Sequence, residues 1–526
     1  MLSPTPGSPR GKNLTAYFIF LLFVLAYLLN LGLQPLFLEE PRRTLIAIEM
    51  LHNKNLWIPT ELGVYYFKKP PFFNWVLVLF AQLPGGFSEF NLRLPTVLST
   101  FGIAGILYAL GRKYISTPFA QVSAWLFLSC GAILFYFSTL AEIDLFYSLI
   151  TFAAFASLFH FYQQRQFFLL FTAVYLLGAI GTLTKGLPSV VFTGWSVLVY
   201  LVVQKDWRRL FSPAHFTGIG VYVIVVGGYL WIYASQAPIG YLLETIWGEN
   251  SDRTVAGNGF LKTIGHLLTF PLDLLKDLAP GALLLVFALR KDVLSQIKQQ
   301  PLIHFALLIG LANLLPYWLS PGAKLRYVYM LYPLFFMVLT WFWLQRDTLP
   351  GWQDQFFRKL VSGLLALLSL ALLLLPFLPL PLHFAWIPWG APLFAMAFAA
   401  LSRQAWTRPA FALSALIIGT AIGRLLFDLI VLPLRATDSA ALEEKQLAAQ
   451  IHEIVGPEPL YVWQSERISF TTIVYLDKWR EQPVHLTPDF KEFPAYYFGC
   501  LEDMDFPYRE LLRFEYNDDT FLLFQR

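Results

Sequence analysis

Apolar residues occupy the chain in long blocks that short polar turns interrupt. Each block is roughly 17–22 residues long, which is the length that crosses the hydrocarbon core of a bilayer as an α-helix. The pattern therefore predicts transmembrane helices, about thirteen in number, with boundaries accurate to a few residues. The predicted spans lie near residues 14–34, 91–111, 118–138, 145–162, 167–183, 187–204, 214–234, 266–289, 301–319, 327–345, 360–379, 384–401 and 407–427.

Composition supports a membrane protein. The 526 residues are 57% hydrophobic and only 14% charged, whereas soluble domains carry about 25% charged residues. These proportions exclude a soluble globular enzyme and a disordered chain. Two cysteines, Cys130 and Cys500, are too few for a disulfide framework. The predicted fold class is a polytopic α-helical membrane protein with amphipathic juxtamembrane helices and a small C-terminal α/β soluble domain.

Charge is distributed unevenly. Residues 436–526 hold 17 Asp and Glu against 8 Lys and Arg, although the whole chain has a net charge of +4. Elsewhere the basic residues lie in alternate turns, which the positive-inside rule places in the cytoplasm. Residues 1–13 are thus predicted to be cytoplasmic, residues 14–430 to form the transmembrane domain, and residues 436–526 to be extracytoplasmic. One miscounted span would reverse the side of this tail. No nucleic-acid motif is present.

The longest outer segment, residues 35–90, is predicted to run along the membrane surface. Its stretch PRRTLIAIEMLHNKN repeats Leu45, Ile48 and Leu51 at helical spacing, as in an interfacial amphipathic helix. A second apolar stretch, PPFFNWVLVLFAQL, is too short to span comfortably and is predicted to lie there too.

Two carboxylates and two guanidiniums follow the first predicted span, in the sequence LEEPRR. A carboxylate outside bulk water suits a general base, so Glu39 and Glu40 are catalytic candidates. Arg42 can hold a phosphate through a bidentate contact. The alternative is structural, because acidic residues are also favoured at the start of an interfacial helix.

A second motif, YYFKKPP, places aromatic residues before two lysines. Lys68 and Lys69 can bind phosphate, and Tyr66 can line a sugar or lipid pocket. The alternative is an interfacial belt of aromatics with snorkelling lysines.

The remaining outer turns each set a carboxylate or a cation in apolar sequence, where charge is costly and therefore points to function. Together these turns indicate a cavity that suits an anionic, lipid-anchored substrate such as a polyprenyl-phosphate sugar. The residues concerned are Asp144, Lys185, Glu249, Arg253, Lys324, Arg326 and Tyr327.

In these motifs, residues 14–430 resemble the GT-C superfamily of integral-membrane glycosyltransferases. Within it the chain resembles the branch of protein O-mannosyltransferases and the lipid A aminoarabinose transferase. The resemblance rests on the order of LEEPRRTLIAIEML, YYFKKPPFFNW, RLP at 93–95, an Asp between spans three and four, LTKG at 183–186, and SPGAKLRYVYMLYP at 320–333.

The resemblance implies roles for several residues. Glu39, which stands where the family usually has Asp, would be the general base or orient the acceptor, and Asp144 would be the second acidic site. The donor phosphate would contact Lys69, Arg253 and Arg326, and Tyr66 would line the pocket. The full set of candidates is catalytic Glu39, Glu40 and Asp144; donor-phosphate-binding Arg42, Lys68, Lys69, Arg253, Lys324 and Arg326; and pocket-lining Tyr66, Lys185, Glu249 and Tyr327.

The chain also departs from the aminoarabinose transferases in the residues that bind a metal. There a Glu precedes the motif lysine and joins a His in binding a metal, whereas Lys68 stands at that position here and residues 248–262 contain no His. We therefore expect no cofactor; the alternative is a divalent metal held by Glu39, Glu40 or Asp144.

The resulting hypothesis is an inverting glycosyltransferase at the extracytoplasmic face of the cytoplasmic (inner) membrane. It would transfer a sugar from a polyprenyl-phosphate donor to a lipid, glycan or protein acceptor. The rival hypothesis is a non-catalytic flippase or transporter of a lipid-linked sugar. Transporter sites lie near the membrane midplane, and the middles of these spans carry almost no charge, which favours the enzyme.

Overall fold

The structure is a computed structural model of the chain. It describes residues 9–66, 68–238, 240, 260–349, 351–379, 384–464, 468–480, 482–491, 494–504, 506–516 and 519–526. Glu249 and Arg253, two of the candidate site residues, lie outside the described residues.

Helices dominate the described chain, and strands are confined to two places. The helices are α1 (Pro9–Leu28), α2 (Glu40–His52), α3 (Phe72–Phe80), α4 (Glu89–Tyr114), α5 (Thr117–Leu128), α6 (Gly131–Phe135), α7 (Ile143–Gln163), α8 (Phe167–Lys185), α9 (Pro188–Val203), α10 (Pro213–Ala234), α11 (Phe260–Asp277), α12 (Val293–Gln299), α13 (Pro301–Trp318), α14 (Tyr332–Leu344), α15 (Gly351–Leu374), α16 (Ile387–Thr407), α17 (Ala412–Leu426), α18 (Leu432–Thr437), α19 (Ala440–Val455) and α20 (Phe470–Trp479). The strands are β1 (Thr60–Glu61), β2 (Val64–Tyr65), β3 (Leu460–Trp463), β4 (His485–Thr487), β5 (Tyr496–Cys500), β6 (Arg509–Tyr516) and β7 (Asp519–Gln525).

Within the described residues, eight helical segments are long and apolar enough to cross a membrane, or nine if the bent pair Thr117–Leu128 and Gly131–Thr139 counts as one. Two further apolar helices, Leu14–Leu28 and Pro188–Val203, are shorter. The polytopic helical architecture is confirmed, and the count of thirteen spans stays a prediction. The eight segments are Glu89–Tyr114, Ile143–Gln163, Phe167–Lys185, Pro213–Ala234, Pro301–Trp318, Leu325–Leu344, Gly351–Phe377 and Pro409–Thr437.

The predicted span at 266–289 is wrong as a single helix. Helix α11 ends at Asp277, and a separate 3₁₀ helix runs from Gly281 to Ala288. Pro280 lies between them and has no N–H to continue the backbone ladder. This break brings Asp277 to a helix end, where its side chain can face neighbouring segments.

The centre of the membrane region is formed by Leu325–Leu344, the most buried of the eight segments. Helix α7 packs against its first turns. Arg326 near the start of one segment and Asp144 near the start of the other therefore lie at the same end of the bundle. This packing positions the site.

The outer segment folds into helix α2, the hairpin β1–β2 and helix α3. The amphipathic helix is confirmed, and its position along the membrane surface stays a prediction. Its residues are buried on nearly every side from Glu40 to Met50, because helix α20 of the C-terminal region packs on it. Buried Glu49 accepts hydrogen bonds from Thr60 Oγ1 (2.5 Å) and the Gly63 N–H (3.2 Å), which ties the hairpin to the helix.

The C-terminal region contains a five-stranded sheet in the order β4-β3-β5-β7-β6. Strand β3 pairs in parallel with β4 and β5, whereas β7 pairs antiparallel with β5 and β6. One apolar core joins this sheet to the outer segment, since Val462, Ile473 and Phe498 share it with Leu45 and Leu77. The C-terminal region and the outer segment are thus packed as a single unit.

Candidate active site

A pocket of about 520 Å³ opens where the first outer turn meets the central helices. Three carboxylates and two cations line it, together with aromatic and apolar side chains. Its lining consists of Leu38, Glu39, Tyr136, Phe137, Glu142, Asp277, Lys324, Leu325, Arg326 and Tyr329. The charged groups come from four separate parts of the chain, so only the folded protein brings them together.

Glu39 enters this pocket from a tight turn before helix α2. Leu38 has a φ of 58°, a left-handed conformation uncommon for non-glycine residues. Glu39 is the N-cap residue, and its side chain makes no capping hydrogen bond. The side chain is 43% exposed, and its Oε2 lies 3.2 Å from Arg42 Nη1. Glu39 is thus anchored at the helix N-terminus, while its carboxylate faces an open space.

Arg42 is held away from the pocket lining. Its Nε lies 3.1 Å from Glu61 Oε2, and its guanidinium stacks 4.6 Å from the centre of the Phe470 ring. The guanidinium therefore joins Glu39 and Glu61 to the C-terminal region. The structure does not bring the predicted donor-phosphate residue Arg42 into the pocket.

Glu40 is fully buried and faces the opposite way from Glu39. Both of its oxygens accept hydrogen bonds from Arg93, at 2.8 and 2.9 Å, and Oε1 also accepts the Ala141 N–H at 2.6 Å. The other N–H groups of Arg93 donate hydrogen bonds to the backbone carbonyls of Leu31, Gln34 and Pro35. The catalytic prediction for Glu40 is corrected to a structural one, because its oxygens are occupied and no solvent reaches them.

Glu142 is the buried carboxylate that does line the pocket. Only 6% of its side chain is exposed, and its Oε2 accepts a hydrogen bond of 2.9 Å from Arg326 Nη1. Burial raises the pKa of Glu142, and the neighbouring Asp144 carboxylate raises it further, although Arg326 opposes both. A carboxylate poised in this way can exchange a proton at physiological pH.

A second ion pair lies directly behind the first. Lys185 Nζ is 2.5 Å from Asp144 Oδ1, and the ammonium also sits about 5 Å over the rings of Tyr147 and Tyr327. The structure thus brings together the predicted residues Asp144, Lys185 and Tyr327. None of the three is part of the pocket lining.

The YYFKKPP motif lies beside the pocket lining rather than in it. Tyr66 is buried and its hydroxyl accepts a hydrogen bond of 3.2 Å from Arg43 Nη1. Lys68 is exposed and Lys69 is half-buried. The pocket role expected for Tyr66 is therefore not seen, since its ring packs with Ile46.

Within the described residues, one group of side chains has the spacing of a metal site, and it is remote from the pocket. It consists of Cys500, Glu502 and Asp519 in the C-terminal sheet. The pocket carboxylates form no such group among the described residues, and exposed Lys68 occupies the position where the resemblance would require a carboxylate. The absence of a bound metal stays a prediction.

Sequence reasoning missed Glu142, Asp277, Tyr136 and Tyr329 as pocket residues. Glu142 had a visible signal, since it stands two residues before Asp144 in AEIDLF, but helical spacing does not show which of the two reaches the cavity. Asp277 falls inside the predicted span 266–289, where the sequence gives no sign that it reaches a cavity. The two tyrosines carried no signal that separates them from the many aromatics of this chain.

Known proteins resemble this chain in sequence and in fold. Residues 68–232 match the model of the dolichyl-phosphate-mannose-protein mannosyltransferase family. An undecaprenyl phosphate-α-4-amino-4-deoxy-L-arabinose arabinosyl transferase of Pseudomonas savastanoi pv. phaseolicola is 30% identical over 242 residues, which is 45% of this chain and 44% of the relative. The same-named protein of Edwardsiella ictaluri is 28% identical over 253 residues, 47% of this chain and 45% of the relative. The alignments thus span less than half the length of either relative.

Structural similarity extends much further than sequence similarity. The crystal structure of ArnT from Cupriavidus metallidurans bound to undecaprenyl phosphate superposes with a TM-score of 0.71 at 16% identity and covers 98% of both chains. At this identity the match shows a shared fold. The fold, the family match and the relatives confirm the resemblance that the motifs indicate: the chain has a polytopic helical fold and is similar to the protein mannosyltransferase family and to the aminoarabinose transferases.

Proposed function

We propose that the protein is an inverting glycosyltransferase that uses a polyprenyl-phosphate sugar. The observation that carries the proposal is the pocket itself, in which Glu39 and Glu142 share one cavity with Lys324 and Arg326. Cations beside a membrane-embedded wall suit a lipid-linked phosphate, and an accessible carboxylate suits proton abstraction from a hydroxyl.

The proposed reaction exchanges one bond to the anomeric carbon for another. Glu39 accepts the proton of the acceptor hydroxyl while the oxygen of that hydroxyl forms a bond to the anomeric carbon. The bond from that carbon to the phosphate oxygen breaks, and the electron pair leaves with polyprenyl phosphate. Attack opposite the leaving group inverts the configuration. Lys324 and Arg326 stabilise the charge that develops on the phosphate.

Other residues that the sequence predicts enter this proposal as supporting groups. Lys69 and Arg253 would extend the phosphate contacts, and Glu249 would border the sugar. The acceptor is a lipid, glycan or protein hydroxyl at the extracytoplasmic face of the inner membrane, with the N-terminus in the cytoplasm and the C-terminal region outside. The proposed reaction uses no bound metal, and Lys68 would partly supply its positive charge.

The comparisons support the donor class. The two relatives are named as undecaprenyl phosphate-aminoarabinose arabinosyl transferases, and the protein that shares the fold over almost its whole length was crystallised with undecaprenyl phosphate. A polyprenyl-phosphate sugar is therefore the donor to test first, whereas the sugar itself stays open.

The flippase hypothesis is less well supported. The pocket gathers its charges at the ends of the central segments, where Glu142 and Arg326 stand, rather than at the midplane expected of a transporter. The fully buried pair of Arg424 and Asp428, at 2.8 Å, lies within the apolar segment Pro409–Thr437, and neither residue is part of the pocket lining.

The test is a transfer assay with purified protein, synthetic polyprenyl-phosphate sugars and excess chelator, in which release of polyprenyl phosphate is measured. Arg326→Met removes a charge-assisted contact worth about 1.5–3 kcal/mol, so we expect the donor KM to rise about 10-fold to 100-fold. Arg358→Met is the matched control, because Arg358 pairs with Asp354 at 2.9 Å away from the pocket. Sugar movement across liposome leaflets without release of polyprenyl phosphate would overturn the enzyme in favour of the flippase, and loss of transfer in chelator would overturn its metal-free form.

A further inference from the structure

The ion pair between Glu142 and Arg326 is incomplete on both sides. Glu142 Oε2 accepts one hydrogen bond from Arg326 Nη1 at 2.9 Å. Glu142 Oε1 and Arg326 Nε are buried, and neither has a hydrogen-bond partner within the described part of the chain. Both residues line the pocket. An incomplete buried pair is costly unless a further group completes it.

The charges that face Glu142 come from every segment packed around it. Asp144 on α7 is close enough to share a proton with it, but Lys185 already neutralises Asp144 at 2.5 Å. Glu40 is neutralised by Arg93 in the same way. The remaining groups at the cavity are Glu39, Asp277, Lys324, Arg326 and the hydroxyl of Tyr329. Arg326 is therefore the cation that directly balances Glu142.

A phosphate that binds Arg326 must compete with Glu142 for one guanidinium. The pocket walls are largely apolar there, with Phe137 and Leu325 in the lining. Two anions that share one cation among such walls repel each other strongly, because the local dielectric constant is low. Protonation of the carboxyl group removes this repulsion and leaves the guanidinium to the phosphate.

We propose that Glu142 is a positioning residue that takes up one proton from water when the donor phosphodiester binds Arg326, and returns it when the polyprenyl phosphate product leaves. This inference rests on the proposed function. In the free protein the carboxylate holds the guanidinium in place; in the complex the neutral carboxyl group can donate a hydrogen bond towards the ligand or to Asp144. No covalent bond to the sugar is involved.

The sign of the pH dependence follows from linkage. Burial and Asp144 already raise the pKa of Glu142 in the free protein. A bound anion raises the pKa of Glu142 further, so the complex holds more protons than the free protein. Donor affinity is therefore constant below the free-state pKa and falls as pH rises between the two pKa values, by at most tenfold per pH unit.

The experiment measures binding of a polyprenyl phosphate methyl ester to the full-length protein in detergent between pH 5.5 and 9. A phosphodiester keeps a single charge over this range, whereas the second ionisation of a phosphate monoester lies near pH 6 and would obscure the effect. Calorimetry in two buffers of different ionisation enthalpy counts the protons taken up. We expect affinity to fall with rising pH in the wild type, with uptake approaching one proton.

Glu142→Gln replaces the titrating group with a neutral one of the same shape. We expect its binding to be independent of pH, without proton uptake, and tighter than wild-type binding at pH 9. Glu39→Gln, at a second of the three pocket carboxylates, should keep the wild-type slope. A slope that persists in Glu142→Gln, or that vanishes in Glu39→Gln, would overturn the proposal.

The wild-type proton count needs no variant, so the inference stays testable even if Glu142→Gln folds poorly. Binding that does not change with pH and releases no buffer heat would overturn only this inference. Absence of any phosphodiester binding, in the presence of correct folding, would instead count against the proposed function.

Discussion

Two buried carboxylate–arginine pairs in this protein consist of the same residue types, Glu and Arg, but differ in their surroundings. In the pair of Glu40 and Arg93, both carboxylate oxygens and the guanidinium are fully occupied, and backbone groups complete the network. In the pair of Glu142 and Arg326, a single hydrogen bond joins the partners, and 26% of the Arg326 side chain is exposed. The first pair is closed, and the second is open to a cavity.

The difference indicates which ion pairs have polar atoms available to a ligand. A closed pair fixes the turn between the first helix and α2, because Arg93 holds the carbonyls of Leu31, Gln34 and Pro35. That turn in turn presents Glu39 to the pocket. An open pair keeps charge and hydrogen-bonding capacity available to a ligand. The closed pair therefore positions Glu39, and the open pair is available to contact a ligand.

The largest expected effect comes from opening the closed pair. Arg93→Met leaves the buried Glu40 carboxylate without its partner, and breaking such a pair typically costs about 3–5 kcal/mol. Unfolding in detergent, followed by circular dichroism, should show this loss. The control is Arg358→Met, whose partly exposed pair with Asp354 should contribute less than about 1 kcal/mol. A stable Arg93→Met protein would remove the distinction between the two pairs.

The second-largest expected effect distinguishes the roles of two neighbouring carboxylates, Glu39 and Glu40. Glu39→Gln should reduce transfer by about 10²–10⁴-fold, the usual contribution of a general base, while the unfolding free energy stays within about 0.5 kcal/mol. Glu40→Gln should do the reverse, because an amide N–H₂ would face Arg93 in the closed pair. Transfer rates per folded molecule and unfolding curves measure both. Transfer within a few-fold of wild type in Glu39→Gln would move the base to Glu142 or Asp144.

The smallest expected effect concerns Tyr475, which supports the turn beside the closed pair from the C-terminal region. The Tyr475 hydroxyl accepts the Leu36 N–H at 3.0 Å and donates to Glu89 Oε1 at 2.6 Å. Tyr475→Phe leaves that buried N–H without a partner, at a cost of about 1–3 kcal/mol. We expect lower stability and a few-fold loss of transfer. Tyr461→Phe, in the same C-terminal region, is the control, and equal behaviour of the two variants would contradict this role.

Local pattern predicted a good part of this molecule. The apolar blocks indicated the helical membrane body, and the i,i+4 spacing of Arg424 and Asp428 indicated an ion pair that the structure confirms. The order of the motifs indicated the superfamily. These features depend on neighbours within a few residues or on composition, which a sequence displays directly.

The remaining features depend on contacts between residues that are far apart in the sequence. Glu40 and Arg93 are 53 residues apart, and nothing local shows that Glu40 turns inward while Glu39 turns outward. The burial of α2 depends on helix α20, more than 400 residues later in the chain, which an amphipathic pattern alone does not show. Glu142 reaches the cavity because α7 packs against the segment that carries Arg326, which is a property of tertiary structure.

The hydrogen bond between Leu36 and Tyr475 has a consequence for biogenesis. These residues stand 439 positions apart, so the turn that presents Glu39 gains this support only after more than 400 further residues have left the ribosome and helix α20 has docked. The helices can insert one after another during translation, yet the turn stays unsupported until then. A chain terminated before Tyr475 would occupy the membrane without this support for the turn.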